Sequence, residues 1–428
     1  MARRLKVVER QSKLQMTELV LSLVLAARTS AGGRLADALR LYTNHLRMES
    51  VARSTFYERF DSEFEALMIE LLSGALDQAR TDVVLLPAAL NCVSDWYAVD
   101  STTVKLHDDM KTEYPGAGDY AALKIHKTYS IGRSNLVNYS ITPAREHDGP
   151  HLSLDESWRG RGLVVDLGYA SHGLLADALT HGVELVVKLK QGWKTRITRV
   201  VRGTFIEGKR RDWRRDDVWW SLGDYRLRNE NDVLDCDVEI DFDGKPLPMR
   251  LVALYVNGKA VYFLTTLSRE AVSAELVGSL YRLRWNVELD NKLNKSDWVL
   301  AEIDAKRPPA VRALLLSSLL GSVIVNRIVH ADHLHRAAAE KPPRNGPMHA
   351  RLVALMLATA ATRIAGALAV GTPDPEQWDR LASSLEGLAR DPNWRRRPSV
   401  QDQLLGFIAP TAKPRRRKSL RSVSENDQ

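Results

Sequence analysis

The spacing of apolar residues follows a helical period at both ends of the chain and a strand period in the middle. Over the first 90 residues, apolar side chains recur every three or four positions, as in Leu14–Ala27 and again in Leu35–Leu46, which predicts helices. Thr55 and Ser62 each stand three residues before a glutamate, the spacing of a capping box at a helix start. Short helices of this kind are compatible with a helix-turn-helix that binds DNA ends, and equally with a plain helical bundle.

From about residue 94 the pattern changes to short apolar and β-branched runs. These runs predict strands over 96–106, 122–131, 136–143, 163–169 and 183–189. A helix is predicted between the last two strands, over 171–181. Three strands followed by a strand–helix–strand unit predict an α/β core with a mixed sheet. A hairpin is predicted in 252–267, around the turn dipeptide Asn257-Gly258. The residues before this hairpin mix tryptophans with arginines and lysines in short, turn-rich strands, which predicts a β-rich insertion.

The last third of the chain returns to a helical period. Residues 269–296 are predicted to be helical, and Pro308-Pro309 opens an apolar helix over 310–329. The most apolar stretch of that helix is shorter than the about 20 residues that cross a bilayer. It therefore predicts a buried core helix. Further helices are predicted over 349–370 and 374–390.

The charge balance narrows the classes of partner. The 428 residues include 61 Lys and Arg against 53 Asp and Glu, a net charge of +8, and 44% are hydrophobic. This excess favours a polyanionic partner, and the composition excludes a generally disordered chain. Cys92 and Cys236 form no CxxC pair, which excludes a zinc ribbon and a disulfide scaffold. No apolar stretch follows the first charges, so we expect a soluble, cytoplasmic protein that contacts no membrane.

Three acidic residues have unusual positions. Asp100 lies inside an apolar strand and Asp166 at the end of another, where a carboxylate is costly unless it is paired or bound to a metal. Glu288 lies on a predicted helix. Carboxylates are hard oxygen ligands that suit Mg²⁺ or Mn²⁺. Taken singly, each acid would favour the plainer interpretation, a strand-end turn former or a surface charge.

The predicted helix that carries Glu288 also has a polar stripe. At about 100° per residue, Tyr281, Arg284, Glu288 and Lys295 lie within about 60° of one another. A phenol, a guanidinium, a carboxylate and an ammonium on one face indicate a shared ligand. The alternative is a solvated face with an Arg–Glu pair.

The pattern Tyr-(2)-Arg-(3)-Glu-(6)-Lys resembles the signature of DDE transposases of the insertion-sequence-four family, the relatives of the Tn-five transposase. Val99-Asp100-Ser101-Thr102 resembles the first aspartate motif of that family, and residues 165–169, an Asp followed by Gly-Tyr, resemble the second. The three motifs stand in the family's order, with a β-rich segment between the second Asp and the Glu. The resemblance covers roughly residues 90–330. It is weak in the N-terminal region and absent in the tail.

The resemblance implies a role for each site residue. Asp100, Asp166 and Glu288 would be the catalytic residues and would bind two Mg²⁺ or Mn²⁺ ions per site. These ions activate a water, and later a DNA 3′-hydroxyl, for attack on a phosphodiester. The phosphates of the strand that is not transferred would be gripped by Tyr281, Arg284 and Lys295.

Other polar and aromatic residues are open to two interpretations. Trp285 would stack on a flipped base in such relatives, or it would simply pack its helix against the core. Strand residues near the two aspartates could touch the DNA backbone or be ordinary strand-edge groups: Thr102, Lys124, His126, Lys188 and Lys190.

The implied fold is an α/β ribonuclease-H-like catalytic core, a mixed sheet flanked by helices, with a β-rich insertion and helical regions at both ends. The predicted domains are a helical N-terminal domain (1–90), the first part of the core (91–190), the insertion (191–250), the second part of the core (251–330), a helical C-terminal region that is a candidate for dimerisation (331–410) and a basic disordered tail (411–428).

The resemblance implies a cut-and-paste DNA transposase of an insertion sequence. Such an enzyme binds the terminal inverted repeats of its transposable element and target DNA as a homodimer in a synaptic complex. It is an endonuclease and strand-transfer enzyme of DNA recombination, and it associates with the nucleoid when bound to DNA. Two alternatives share the scaffold: a domesticated sequence-specific DNA-binding protein and a metal-dependent nuclease. The complete triad and stripe disfavour the first of these.

Overall fold

The computed structural model describes most of the chain, with gaps at both ends and in the predicted insertion. The described residues are 14–25, 34–46, 50–206, 222–298, 300–340, 345–361, 363–364 and 374–407. The basic tail predicted at 411–428 and the cationic run at 209–215 lie outside these ranges.

One mixed sheet is the centre of the fold. Its strands within the described ranges are β1 (Trp96–Leu106), β2 (Ala122–Ser130), β3 (Asn135–Pro143), β4 (Gly162–Val165), β5 (Glu184–Lys188), β6 (Thr195–Arg202), β7 (Val233–Phe242), β8 (Lys245–Val256), β9 (Lys259–Thr265) and β10 (Glu302–Ile303). The spatial order is β3-β2-β1-β4-β5-β9-β8-β7-β6, with β10 also beside β1. β1, β4 and β5 are parallel neighbours, whereas β2, β3 and β6–β9 pair in antiparallel fashion. This is the mixed α/β sheet that the sequence predicts.

The described part of the predicted insertion continues this sheet. β7 pairs with β8, β8 with β9, and β9 with β5 at Val186↔Thr265. β8 is a single strand across the boundary predicted at residue 250. The extra strands therefore lengthen the central sheet instead of forming a second one.

Helices cover the sheet. They are α1 (Met16–Leu25), α2 (Arg34–Leu41), α3 (Arg53–Glu58), α4 (Ser62–Thr81), α5 (His172–His181), α6 (Ala274–Leu283), α7 (Trp285–Asp297), α8 (Pro308–Ala338), α9 (Ala350–Thr359), α10 (Pro375–Ala389) and α11 (Val400–Leu404).

The two predicted capping boxes are wrong. α3 begins after Ala52, which has no side-chain cap. α4 is capped by Asp61, whose carboxylate accepts a hydrogen bond from the Phe64 N–H at 2.9 Å. The Asp61 carboxylate, one residue before the predicted cap Ser62, satisfies free N–H groups of the first turn. It also places a negative charge at the positive end of the helix.

Helix α8 joins the N-terminal helices to the sheet. One apolar cluster contains residues of α1 and α4, most of the first half of α8, and the ends of β1–β3. By length and composition α8 could cross a membrane, but 78% of its apolar window is buried by the rest of the chain. It is the core helix that its apolar run predicts.

A buried ion pair fixes α7 on the sheet. Lys127 of β2 is fully buried, and its Nζ donates to Oδ2 of Asp290 at 2.7 Å. From α8, Ser322 Oγ and Asn326 Nδ2 donate to the other oxygen, Oδ1, at 2.6 and 2.8 Å. Buried charges are tolerated only when paired and hydrogen-bonded. This network therefore specifies how β2, α7 and α8 pack together.

We expect Lys127→Met to destabilise the protein by about 3–5 kcal/mol, because it leaves the Asp290 carboxylate buried without its counter-ion. The measurement is the shift of the urea denaturation curve. Lys105→Met is the matched control, since Lys105 forms an exposed pair with Glu302 at 3.0 Å, and exposed pairs contribute little. Equal shifts for the two variants would show that the buried pair has no special role.

Candidate active site

The strand register places two aspartates side by side. β1 and β4 run parallel with Trp96 opposite Gly162 and Val99 opposite Val165. Asp100 and Asp166 are the next positions along the two paths, and neighbouring strands lie about 4.8 Å apart. Ala98 and Val164, two residues earlier, belong to the same apolar cluster. Because side chains alternate along a strand, both aspartates belong to the face that α6 and α7 cover.

Helix α7 brings Glu288 to the first aspartate. Asn291, one turn after Glu288, donates from Nδ2 to Oδ2 of Asp100 at 2.9 Å. Asp100 and Glu288 border the same open cleft of about 480 Å³, whose other lining residues are Ser101, Thr102, Asn291, Lys292, Lys295 and Ser296. Two of the predicted catalytic acids and the predicted phosphate-binding lysine therefore share one cleft.

The prediction of a single helix through 269–296 is wrong. α6 ends and α7 begins at Arg284. There the backbone tightens, with Arg284 N–H donating to Tyr281 O at 3.1 Å and Val287 N–H to Arg284 O at 3.2 Å. These are bonds to the third preceding residue, typical of a 3₁₀ turn. The uniform 100° spacing thus does not extend from Tyr281 to Glu288, although both side chains still reach the acidic site.

In this structure, residues of the polar stripe engage two of the acids. The guanidinium of Arg284 forms an ion pair with Glu288, and the Tyr281 hydroxyl donates to Oδ1 of Asp166 at 3.4 Å. The Tyr281 ring also lies 5.5 Å from the Arg284 guanidinium and 5.0 Å from Lys188 Nζ. Both distances are within the range of cation–π attraction.

Burial shifts the pKa of two groups at this site. It raises the pKa of Asp100, while the nearby Arg284 guanidinium opposes the change and Glu288 adds to it. Burial also raises the pKa of Tyr281 to about 12. The phenol therefore keeps its proton at neutral pH and acts as a hydrogen-bond donor to Asp166.

The donor set fits a divalent cation, although the described residues contain no preassembled cluster. Among the described residues, no three His, Cys, Asp or Glu side chains stand together as a metal site requires. The carboxylates of Asp100 and Glu288 are nevertheless hard oxygen donors on one cleft. The raised pKa of Asp100 indicates that its neighbours do not fully offset the cost of burying its charge. An added positive ion would complete that compensation.

Of the other residues predicted to contact DNA, some are exposed and others are hydrogen-bonded or ion-paired within the protein. Trp285 is 57% exposed, so it does not pack its helix against the core. Lys190 is exposed and Thr102 lines the cleft. Lys124 pairs with Asp148 at 2.9 Å. His126 is buried, with its ring nitrogens 3.2 Å from the Tyr169 hydroxyl and 3.1 Å from Thr142 Oγ1. Lys124 and His126 are therefore held by contacts within the protein, and their contact with DNA stays a prediction.

Those engaged side chains belong to a polar cluster that sequence reasoning missed. On the other face of the sheet from Asp100, Ser101 Oγ donates to Oδ1 of Asp148 at 2.9 Å, the oxygen that also binds Lys124. His126 links the cluster to Tyr169, whose N–H donates to the Asp166 carbonyl at 3.1 Å. This cluster supports the loop that holds the second aspartate.

Asn291 was also missed, though a signal for it exists. It lies three residues after Glu288, and residues three apart share a helix face. Its amide oxygen is buried and has no hydrogen-bond partner among the described residues. The amide group is thus held at the acidic site by its single donor bond to Asp100.

Comparison with known proteins supplies the family. The family described as "Transposase DDE domain" matches residues 94–324. The putative transposase InsL for insertion sequence element IS186A of Escherichia coli (strain K12) is 34% identical, over 62% of this chain and 79% of that protein. The transposase for insertion sequence element IS421 of Escherichia coli is also 34% identical, over 62% and 78% of the two chains.

A solved structure is also similar to this chain, at a lower sequence identity. A piggyBac transposase synaptic complex with hairpin DNA has a TM-score of 0.46 and 12% identity, over 91% of this chain and 81% of that one. The family match spans more than half of the chain and all three acids, and the two relatives are covered over more than two thirds of their length. The chain therefore belongs to the DDE transposase family.

Proposed function

We propose that this transposase mobilises an insertion sequence and belongs to the insertion-sequence-four group. It would act as a homodimer that cuts DNA at the terminal inverted repeats of its element and joins the ends to target DNA. The observation that carries this proposal is that Asp100 and Glu288 border one cleft, while Asp166 follows the parallel strand that pairs directly with the strand of Asp100. The names of the two Escherichia coli relatives support the link to an insertion sequence.

The family implies dependence on divalent metal ions, and we infer that these three acids hold two Mg²⁺ or Mn²⁺ ions. When bound, such ions lower the pKa of an attacking water or hydroxyl and stabilise the leaving oxygen of the phosphodiester. The acids contribute three negative charges beside a phosphate that is itself anionic. Asn291 would hold the Asp100 carboxylate in one orientation through its amide N–H.

The proposed DNA contacts also explain why Glu288 is paired in the DNA-free protein. A guanidinium binds phosphate through a planar, bidentate pair of N–H donors. A DNA phosphate entering the cleft would draw Arg284 away from Glu288 and leave that carboxylate free to bind metal. Lys295, on the same cleft, would add a point charge for the same backbone. DNA binding and metal binding would then favour each other.

We expect Asp100→Asn, Asp166→Asn and Glu288→Gln each to reduce cleavage of end-bearing DNA on the order of 10³-fold, because each removes a charged ligand. The measurement is gel-based cleavage with Mg²⁺, with DNA binding followed separately by fluorescence anisotropy. Glu302→Gln is the control and should cleave normally, since Glu302 is exposed and paired with Lys105.

Normal cleavage by any of the three variants would contradict the triad. Joining of a precut end to target DNA by the unaltered protein separates a transposase from a nuclease. Cleavage without joining would contradict the strand-transfer half of the proposal.

Arg284→Gln should raise Mn²⁺ affinity in the absence of DNA, because it removes a cation and frees Glu288. In the unaltered protein, DNA should raise Mn²⁺ affinity by about 5–150-fold, the usual range of coupling between sites. Most of that increase should be lost in the variant. Calorimetric titration of Mn²⁺ with and without end DNA measures both effects.

Arg159→Gln is the control for this titration, since Arg159 is exposed and paired with Glu156 at 2.8 Å. It should retain the coupling of the unaltered protein. Unchanged or weaker Mn²⁺ binding by the DNA-free Arg284 variant would rule out the competition.

Trp285→Ala should weaken binding of a cleaved end by about 1–3 kcal/mol, the contribution of stacking one base on an aromatic ring. A 2-aminopurine placed at the end reports unstacking by a rise in fluorescence. Trp285→Phe keeps an aromatic face and should keep most of that rise. A full rise with the alanine variant would exclude stacking on Trp285.

A further inference from the structure

The turn at 391–398, called here the arginine turn, carries a concentration of unneutralised positive charge. Its consecutive arginines, 395–397, are all exposed, and none has an ion pair with a carboxylate of the described residues. Some exposed cations have partners, as Arg159 has Glu156 and Arg380 has Glu376. Others, such as Lys190 and Lys259, have no ion pair among the described residues. What distinguishes the arginine turn is that three such cations are consecutive.

The arginine turn is held rigidly by its backbone. Arg396 and Arg397 donate their N–H groups to the Asn393 carbonyl at 2.8 and 2.9 Å, and Asp391 N–H donates to Pro347 O at 3.0 Å. The carboxylate of Asp391 accepts the Asn393 N–H at 2.7 Å, so it is engaged inside the turn. The guanidinium groups therefore project from a fixed backbone.

An aromatic residue stands within this cationic surface. The Arg395 guanidinium lies 4.9 Å from the centre of the Trp394 ring. Trp394 packs on Gly346, where a Cβ would come within 2.4 Å of the indole Cδ1. Trp394, Arg395 and Gly346 line a cleft of about 650 Å³ together with Asn345, Arg390 and Arg396. The nearest acid to Arg390, Glu386, forms an ion pair with it and does not neutralise the three exposed arginines.

The arginine turn lies close to the proposed DNA-binding end of α7. Helix α11 follows it, and Gln401 Oε1 accepts a hydrogen bond from Asn286 Nδ2 at 2.8 Å. Asn286 is the neighbour of the exposed Trp285. The four residues from Arg397 to Gln401 span at most about 14 Å. The arginines therefore stand near the place where the proposed DNA end meets Trp285.

We propose that the arginine turn binds the sugar-phosphate backbone of duplex DNA beside the cleaved end. The inference rests on the proposed function, since it assigns a further part of the same DNA-binding surface. Exposed guanidinium groups on a fixed backbone match phosphates, and each phosphate neutralised releases bound counterions. The contact adds affinity and register without reading sequence.

The test is the salt dependence of DNA binding by a variant in which Arg395, Arg396 and Arg397 are all changed to Gln. A plot of log affinity against log salt should become shallower by about 2–3, because each lost phosphate contact removes about 0.9 from the slope. Changing the same three residues to Lys keeps the charges and should keep the slope. The matched control changes Lys111, Arg159 and Arg380 to Gln, which removes the same net charge.

An unchanged slope in the first variant, or an equal loss in the matched control, would overturn the proposal. These outcomes are distinct from failure of the proposed function. Asp100→Asn should abolish cleavage while keeping the salt slope, whereas the arginine variant should still cleave when saturated with DNA at low salt.

Discussion

The ion pair between Lys127 and Asp290 is the contact on which the acidic site depends. Lys127 stands directly opposite Asp100 in the antiparallel register of β1 and β2. Its bond to Asp290 therefore fixes α7 at the level of the first aspartate. The neighbouring residue, Asn291, then reaches Asp100. Two charges removed from water are costly, and the hydrogen bonds from α8 offset part of that cost. The ion pair contributes a defined position of α7 on the sheet, since a wholly apolar contact would permit the helix to slide along the strands.

The acids of the site are paired with the side chains that are proposed to bind DNA phosphates. Arg284 neutralises Glu288 when no phosphate is present, and Tyr281 satisfies Asp166 in the same state. Without these partners, the carboxylates would repel one another in a partly buried cleft. The net charge of +8 conceals this arrangement, because many arginines of the described residues are already paired with acids. In the proposed function, the arginines that bind DNA are those whose partners a phosphate can replace, or that have none.

The sequence predicts local features well, and the structure shows why the non-local ones are missed. β1 matches its predicted bounds. Asp100 and Asp166 are 66 residues apart in the sequence, and β1 and β4 pair at that same separation, with Val99 opposite Val165. Lys127 looks like a surface charge on a strand, because its partner lies 163 residues away. The junction at Arg284 was missed for a related reason, since an average helical period contains no sign of a local 3₁₀ turn. The site residues themselves stay predictions until variants are measured.

The thirteen residues of helix α7 face three environments: solvent, the cleft and the protein interior. Trp285 faces solvent at its start, and Glu288, Asn291 and Lys295 follow at three- and four-residue spacing along the cleft. A second row, Asp290 and Asn294, faces the interior, where Asn294 Nδ2 donates to the Asp290 carbonyl at 2.8 Å and Ser322 Oγ at 3.2 Å. A rotation of the helix by one residue would turn Glu288, Asn291 and Lys295 away from the cleft and expose the ion pair. The buried row thus sets the angle at which these three residues face the cleft, which ties the packing of the core directly to the geometry of the proposed active site.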